Sequence, residues 1–262
     1  MKRGLHVYGY LITTFIFFSI VFNLEAFPVN KKSEDRIKIL SYNIRNAKGL
    51  DNVIDYKRIG NIIRRVDADF VALQELDSAT VRSNKAVVLN ELATLTGMYP
   101  TYRSSISFQG GKYGIGILTK EKPLRVEAFP LPGKEEKRSL LILEMKKYVL
   151  CCTHFSLTQA DRMTTVEIVT NAVKKYSKPV FLAGDLNTEV GTPEMNKLEE
   201  NWSVLNNPSQ LTIPADNPKS CIDFILAKKD SGYQFETIEG AVENEPVASD
   251  HLPVWVKVLI RH

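Results

Sequence analysis

Two stretches decide the reading of this chain: Arg36-Ile37-Lys38-Ile39-Leu40-Ser41-Tyr42-Asn43 and Phe70-Val71-Ala72-Leu73-Gln74-Glu75. The first alternates, with Ile37 and Ile39 apolar, and predicts a strand over 36–42 that ends at Asn43. The second is a short apolar run and predicts a buried strand over 70–73 that ends at Glu75. Between them Ile59, Ile62, Ile63 and Val66 stand at helical spacing, with Asp55 where an N-cap belongs. Strand, helix, strand thus comes early, with a polar residue at each strand end.

The same order recurs later. A strand over 148–153 delivers His154, and a helix over 161–176 carries Met163, Val166, Val169 and Val173 on one face. A strand over 180–183 then runs into Gly184-Asp185-Leu186-Asn187. In α/β sheets ligands gather at the carboxyl ends of strands. Asn43, Glu75, His154 and Asp185 are therefore expected at one rim. Further strands are predicted at 101–106 and 115–119, about a Gln109-Gly110-Gly111 turn, and at 124–129, 140–145, 221–226 and 254–259. A second helix over 85–96 stops at Gly97. Many strands with few helices point to an α/β chain of two sheets packed face to face, with helices outside.

The chain has 262 residues, 44% hydrophobic and 24% charged, which suits one globular α/β domain with a full core. Its net charge is +4. The basic residues are scattered in pairs such as Arg64-Arg65 and Lys146-Lys147, with no long run, so a surface built to coat nucleic acid is not indicated. Any phosphate recognition must be local.

Lys2 and Arg3 precede an almost continuously apolar run from Val7 to Phe22, and Ala26 suits a cleavage site. Residues 1–26 read as a secretory signal peptide. Leu24 is a poor match to a small-x-small site, which leaves an uncleaved anchor as the alternative. No cysteine follows the run, against a lipoprotein anchor. Residues 27–35 read as a polar linker and 36–262 as the domain. The expected localisation is export, secreted or periplasmic, with membrane contact only through an uncleaved leader. Three cysteines do not make a disulfide framework. Cys151 and Cys152 are neighbours in a predicted strand and should face opposite sides as small buried residues.

The chemistry-bearing residues cluster. His154 and His251 each follow an apolar run in polar company, whereas His6 lies in the leader and His262 is terminal. Asn43 and Glu75 offer hard oxygen atoms of the kind Mg²⁺ takes. Within Gly184-Asp185-Leu186-Asn187, the glycine permits close approach. Asp185 and Asn187 face one side if the strand continues, and otherwise form an Asx-type turn. Asp223 sits in the apolar stretch Cys221-Ile222-Asp223-Phe224-Ile225-Leu226 and needs a partner if buried. A histidine would serve, holding the imidazole in one tautomer; a strand-edge salt bridge is the plainer alternative. Ser249-Asp250-His251 is the third cluster, its Asp250 suited to a metal or to orienting a histidine.

Taken in order, Ser41-Tyr42-Asn43-Ile44-Arg45, Leu73-Gln74-Glu75, Thr153-His154-Phe155, Gly184-Asp185-Leu186-Asn187, Asp223-Phe224-Ile225 and Ser249-Asp250-His251 resemble the anchors of the endonuclease/exonuclease/phosphatase superfamily. The small exported metal-dependent hydrolases of that superfamily are the nearest in pattern, with their signatures echoed at Arg82-Ser83 and Thr96-Gly97. The resemblance implies a four-layer α/β/β/α sandwich with two mixed sheets, the DNase I-like fold. It implies Asn43, Glu75 and Asp250 around Mg²⁺ or Mn²⁺. It implies that Asp185 orients or deprotonates water and that Asn187 and His154 contact phosphate. His251, paired with Asp223, would also contact phosphate and handle developing charge, and Arg138 would bind substrate.

Two departures stand out. Phe224 replaces a common tyrosine, and Tyr42 replaces the tryptophan of AP endonucleases, which weakens a DNA-repair reading. The expected activity is hydrolysis of a phosphoester, of the diester kind, by in-line attack of water. The expected substrate is nucleic acid, a phospholipid headgroup or a smaller phosphoester, with no stable protein partner. The competing reading is a non-catalytic module that keeps the fold and binds phospholipid or protein.

Overall fold

The computed structural model describes residues 34–229 and 232–261, together with residues 1, 4 and 9. Most of the signal peptide expected at 1–26 and most of the 27–35 linker lie outside the described residues. No helix among the described residues is long and apolar enough to cross a membrane.

Among the described residues twelve strands form two six-stranded sheets. The first has the order β11-β12-β1-β2-β4-β3, from β1 (Glu34–Asn43), β2 (Phe70–Ser78), β3 (Tyr99–Phe108), β4 (Gly111–Thr119), β11 (Gln234–Val242) and β12 (Val254–Arg261). The second has the order β5-β6-β7-β8-β10-β9, from β5 (Arg125–Leu131), β6 (Arg138–Glu144), β7 (Val149–His154), β8 (Val180–Asp185), β9 (Trp202–Val204) and β10 (Asp223–Lys228). Each sheet is mixed: β1 and β2 are parallel in one, β7 and β8 in the other, and the flanking strands of each pair run antiparallel. The parallel pairs are the two strand–helix–strand units read from the sequence.

Alternation along the strands sorts side chains into three apolar layers. Ile37, Ile39, Phe70, Ala72, Leu141, Cys152, Phe181 and Ile225 fill the space between the sheets. Leu40, Tyr42, Val71 and Leu73 point the other way, onto α1 (Tyr56–Val66) and α2 (Val88–Thr96). Cys151, Val180, Leu182 and Phe224 turn toward α3 (Gln159–Ala172) and α4 (Pro193–Glu199). The result is the four-layer α/β/β/α sandwich. Cys151 and Cys152 take opposite faces, as their adjacency in a strand required.

Several boundaries differ from the sequence reading. β1 begins at Glu34, so Glu34 and Asp35 pair with Arg261 and Ile260 instead of belonging to a linker. β2 does not end at Glu75; it continues to Ser78 through a register shift between Leu73 and Leu76. α2 starts at Val88, because Lys85 takes a left-handed φ of 64° and Val87 bridges to Ser78. β9, β11 and α4 are additions. Asp55 caps α1 as expected, accepting from the Arg58 N–H at 2.9 Å, and Gly97 closes α2 at φ 72°.

Candidate active site

The two parallel pairs end side by side. In the first sheet β1 ends on Asn43, and Asn43 is in register with Gln74, one residue before Glu75. In the second sheet His154 and Asp185 are register partners at the ends of β7 and β8. Gly184 makes that second pairing possible: a Cβ there would lie 2.1 Å from the Thr153 carbonyl oxygen.

Asn43 joins the two sheets. Its Nδ2 donates to Glu75 Oε1 at 3.0 Å and to Asp185 Oδ2 at 3.1 Å. Its Oδ1 accepts the Arg45 N–H at 3.1 Å. Arg45, Asn46 and Ala47 all have φ between 46° and 59°, and Glu75 has φ 61°. Four non-glycine residues in the left-handed region beside one carboxamide are costly to hold. They turn the chain sharply where β1 and β2 deliver their oxygen atoms. The loop before β12 is tied to this point, since Ser249 Oγ donates to the Asn43 carbonyl at 2.8 Å. That bond brings in Asp250, whose Oδ2 lies 3.5 Å from Arg45 Nε, and His251.

His251 is buried between two acids. Its Nδ1 is 2.9 Å from Asp223 Oδ2, and its Nε2 is 3.6 Å from Asp185 Oδ2. Burial alone would push the imidazole down, but the charges of Asp223 and Asp185 and the Asp223 hydrogen bond outweigh it and raise it to about 10. His251 is therefore an imidazolium at neutral pH. Asp223 is fully buried in β10, between β8 and β9, so its partner is this histidine and not a strand-edge cation. Its second oxygen, Oδ1, is buried with no hydrogen-bond partner among the described residues.

His154 is the opposite case. Burial is the main cause that takes it down to about 3; Asp185 opposes, while Arg138 and His251 add to the fall. Its imidazole is neutral. Arg138 Nη1 approaches Nδ1 at 3.1 Å, which assigns the lone pair to Nδ1 and the proton to Nε2, 3.4 Å from Asp185 Oδ2. Asp185 thus faces Asn43, His154 and His251 at once.

Asn187 departs from one expectation. The strand does not continue past Asp185; Asn187 takes φ 48° and its N–H donates to Asp185 Oδ1 at 2.9 Å. This is the Asx-type turn. The Asn187 side chain donates to the Phe155 carbonyl at 3.0 Å, which fixes it beside Asp185 by a different route.

Arg138 lies in the site, at the start of β6. Its Nη1 donates to Glu136 at 3.0 Å and its Nη2 to Glu135 at 3.3 Å. The sequence reading missed Tyr113, Arg82's role and both glutamates as neighbours of this rim. Tyr113 hydrogen-bonds Glu75, and burial first, then the charges of Glu75 and Glu136, push its hydroxyl above the ordinary phenol range. Arg82 grips buried Asp77 at 2.7 and 2.9 Å and stacks on Phe108 and Tyr113. No periodic signal marks Tyr113, which is one residue of an ordinary strand. Arg82 stood out only through its family signature.

A divalent cation fits the oxygen-bearing side of this arrangement. Burial chiefly raises the Glu75 carboxyl, with the charges of Asp250 and Asp185 adding to the shift against the Asn43 hydrogen bond. These like charges are crowded together, and a bound cation relieves them. Asp185, Asp223 and His251 also bring ligand-type atoms within 4.8 Å of one another. Two of the three, His251 and Asp223, are already joined by their own hydrogen bond at 2.9 Å. Asn43, Glu75 and Asp250 carry hard oxygen atoms of the kind Mg²⁺ takes. A cavity at the opposite ends of the strands, beside Arg36, Asp69 and Tyr148, contains none of these groups.

The model of the endonuclease/exonuclease/phosphatase family matches residues 40–251, which spans every residue named in this site. The chain belongs to that family. Its members are hydrolytic phosphoesterases that depend on divalent metal. Solved structures agree on the fold. An endonuclease/exonuclease/phosphatase from Beutenbergia cavernae is 21% identical, with TM-score 0.66 over 85% of this chain and 71% of its own. A mannosyl-6-phosphatase from Bacteroides thetaiotaomicron is 16% identical, with TM-score 0.65 over 85% and 99%. Truncated TDP2 from Caenorhabditis elegans is 18% identical, with TM-score 0.63 over 85% and 97%. No curated protein matches the chain in sequence.

Proposed function

We propose that this family member is an exported hydrolase, dependent on Mg²⁺ or Mn²⁺, that cleaves a phosphodiester by in-line attack of water. The observation that carries the reading is the position of Asp185. One carboxylate oxygen faces the Asn43 amide, neutral His154 and charged His251, at the junction of both sheets. A carboxylate so placed orients a water and accepts its proton as the new P–O bond forms.

The other groups divide the remaining work. Asn43, Glu75 and Asp250 would hold the cation. When bound, the cation supplies positive charge to the phosphoryl group and the leaving oxygen. His251, kept protonated by Asp223, offers an N–H where negative charge grows on phosphorus-bound oxygen. Arg138, braced by Glu135 and Glu136, and the neighbouring His154 would contact phosphate. Asn187 keeps the Asp185 carboxylate from rotating through its backbone N–H. Water adds to phosphorus, the ester P–O bond breaks, and the displaced oxygen leaves on the face opposite the attack.

Export rests on the apolar run from Val7 to Phe22 after Lys2 and Arg3. The deciding assay is turnover of bis-p-nitrophenyl phosphate. Activity that EDTA abolishes and Mg²⁺ or Mn²⁺ restores supports the hydrolase. A folded, metal-loaded protein inert toward this diester and toward nucleic acid, phospholipid headgroups and sugar phosphates would sink it. Fractionation of expressing cells tests export: protein confined to the cytosol overturns that part.

A further inference from the structure

The arginines around the site are already neutralised. Arg138 faces two carboxylates, Glu136 at 3.0 Å and Glu135 at 3.3 Å. Arg82 is held by both oxygens of Asp77, and Arg45 faces Asp250 at 3.5 Å. None of the three offers an unpaired charge to a ligand.

The two acids on Arg138 are not alike. Glu135 is tied into the protein: it accepts from the Leu157 N–H at 2.8 Å, from Ser156 Oγ at 3.0 Å and from Thr158 Oγ1 at 3.3 Å. Burial opposes its charge, but these donors and Arg138 bring it down to about 2. It is a strut between the β5–β6 loop and the start of α3. Glu136 has no such anchorage among the described residues. Its one hydrogen bond among those above is to Arg138, it is half-buried, and it lies within electrostatic reach of Glu75 and Arg82. Burial chiefly raises it, and Glu75 and Glu135 add to that shift. Glu136 sets a second carboxylate against Arg138, beside that of Glu135.

We infer that Glu136 is a specificity residue that favours singly charged phosphodiesters over doubly charged phosphomonoesters. The inference rests on the hydrolase reading above and names its substrate class. A phosphodiester brings one negative charge. A monoester above its second ionisation, at roughly pH 6, brings another charge on a free oxygen. Arg138 is the side chain suited to that oxygen, through its planar fork of donors. Here Glu136 occupies one arm of the fork and repels the added charge. Like-charge juxtaposition of this kind is how a site rejects a close analogue of its ligand.

The test compares bis-p-nitrophenyl phosphate with p-nitrophenyl phosphate, at a pH where the monoester is a dianion, on Mg²⁺-loaded wild type and Glu136→Gln. The diester-to-monoester ratio of kcat/KM is expected to favour the diester in wild type. It should fall by roughly tenfold in the variant, through a gain on the monoester. A ratio that does not move, or equal losses on both substrates, overturns the inference; Glu136 would then only brace Arg138. A second readout needs no turnover: calorimetric binding of phenylphosphonate and of its monomethyl ester. Glu136→Gln should tighten the dianion by roughly tenfold and the monoanion by less than about twofold. Equal shifts overturn the inference. If wild type turns over neither nitrophenyl ester while this binding preference shifts as described, the hydrolase reading fails and the role of Glu136 stands. If turnover is present and the preference is unmoved, the reverse holds.

Discussion

The end of the β1–β2 pair and the end of the β7–β8 pair meet at one rim, yet they hold their side chains by different means. Asn43 and Glu75 are delivered by backbone forced into the left-handed region, at Arg45–Ala47 and at Glu75 itself. His154 and Asp185 are delivered by regular extended strands in register, brought close by Gly184. The first end presents oxygen atoms crowded with like charge, and the second a carboxylate between a neutral and a charged imidazole. One end suits a hard cation, the other suits moving a proton. The repeated strand–helix–strand plan fixes where the two chemistries meet, and the side chains and local backbone divide the labour.

That division makes its strongest prediction about turnover. Asp185→Asn and His251→Ala should each lower kcat by roughly 100-fold or more, the scale of a lost general base or charge-stabilising donor. Each should weaken metal affinity, measured by calorimetry, by less than Glu75→Gln does. Near-normal turnover in the folded His251→Ala protein would remove its assigned role. A loss of metal affinity in Asp185→Asn as large as that in Glu75→Gln would erase the distinction between the two ends.

Glu75→Gln is the mirror experiment. It keeps the shape and the contact with Asn43 but removes a charge. Metal affinity should weaken by roughly 10- to 100-fold, at least the scale seen when partners of metal ligands are lost. Excess Mg²⁺ should restore much of the lost turnover, which it should not do for Asp185→Asn. Rescue of both variants, or of neither, would show that the two ends act as one unit.

Both ends were legible in the sequence to different depths. The parallel pairs, α1 and the meeting of Asn43, Glu75, His154 and Asp185 followed from apolar period and strand ends, because those strands are buried on both faces. β11 did not, because it is an edge strand and exposed along most of its length, so no apolar alternation marks it. β9 has three residues, and α4 seven, too few for a period to develop. Thr192-Pro193 was a readable start for α4: Thr192 is its N-cap and Pro193 its first residue. The bulge at Glu75 was not readable, because left-handed backbone at a glutamate is set by tertiary contacts and not by propensity. The Asp223–His251 pair was legible as a need, since a buried acid requires a partner, but its distance of 2.9 Å is a product of the fold.

Gly184 tests the second end by geometry alone. Gly184→Ala puts a methyl group 2.1 Å from the Thr153 carbonyl oxygen, so β8 must move away from β7. The cost should be about 1–3 kcal/mol, the range for forced overpacking, read by urea denaturation. Because His154 and Asp185 follow directly, kcat should also fall by roughly tenfold or more, a modest share of what misplaced catalytic groups can lose. A stable variant with unchanged kcat would mean that the strand register does not set the His154–Asp185 spacing.

The smallest effects separate the helices behind the two ends. Asp55 caps α1 through a 2.9 Å bond to the Arg58 N–H, and α1 buries Ile59, Ile62, Ile63 and Val66 against the first sheet. Asp55→Ala should cost about 1 kcal/mol, the usual value of a lost side-chain cap. Thr158 holds the same position on α3 but caps nothing; its hydroxyl turns to Glu135 at 3.3 Å. Glu135 has other donors in Leu157, Ser156 and Arg138. Thr158→Ala should therefore stay within about 0.5 kcal/mol, as for a surface change away from a cap. Equal losses at the two positions would mean that the Thr158–Glu135 contact carries stability beyond its geometry. In that case the loop that braces Arg138 would be part of the folding core of the second half.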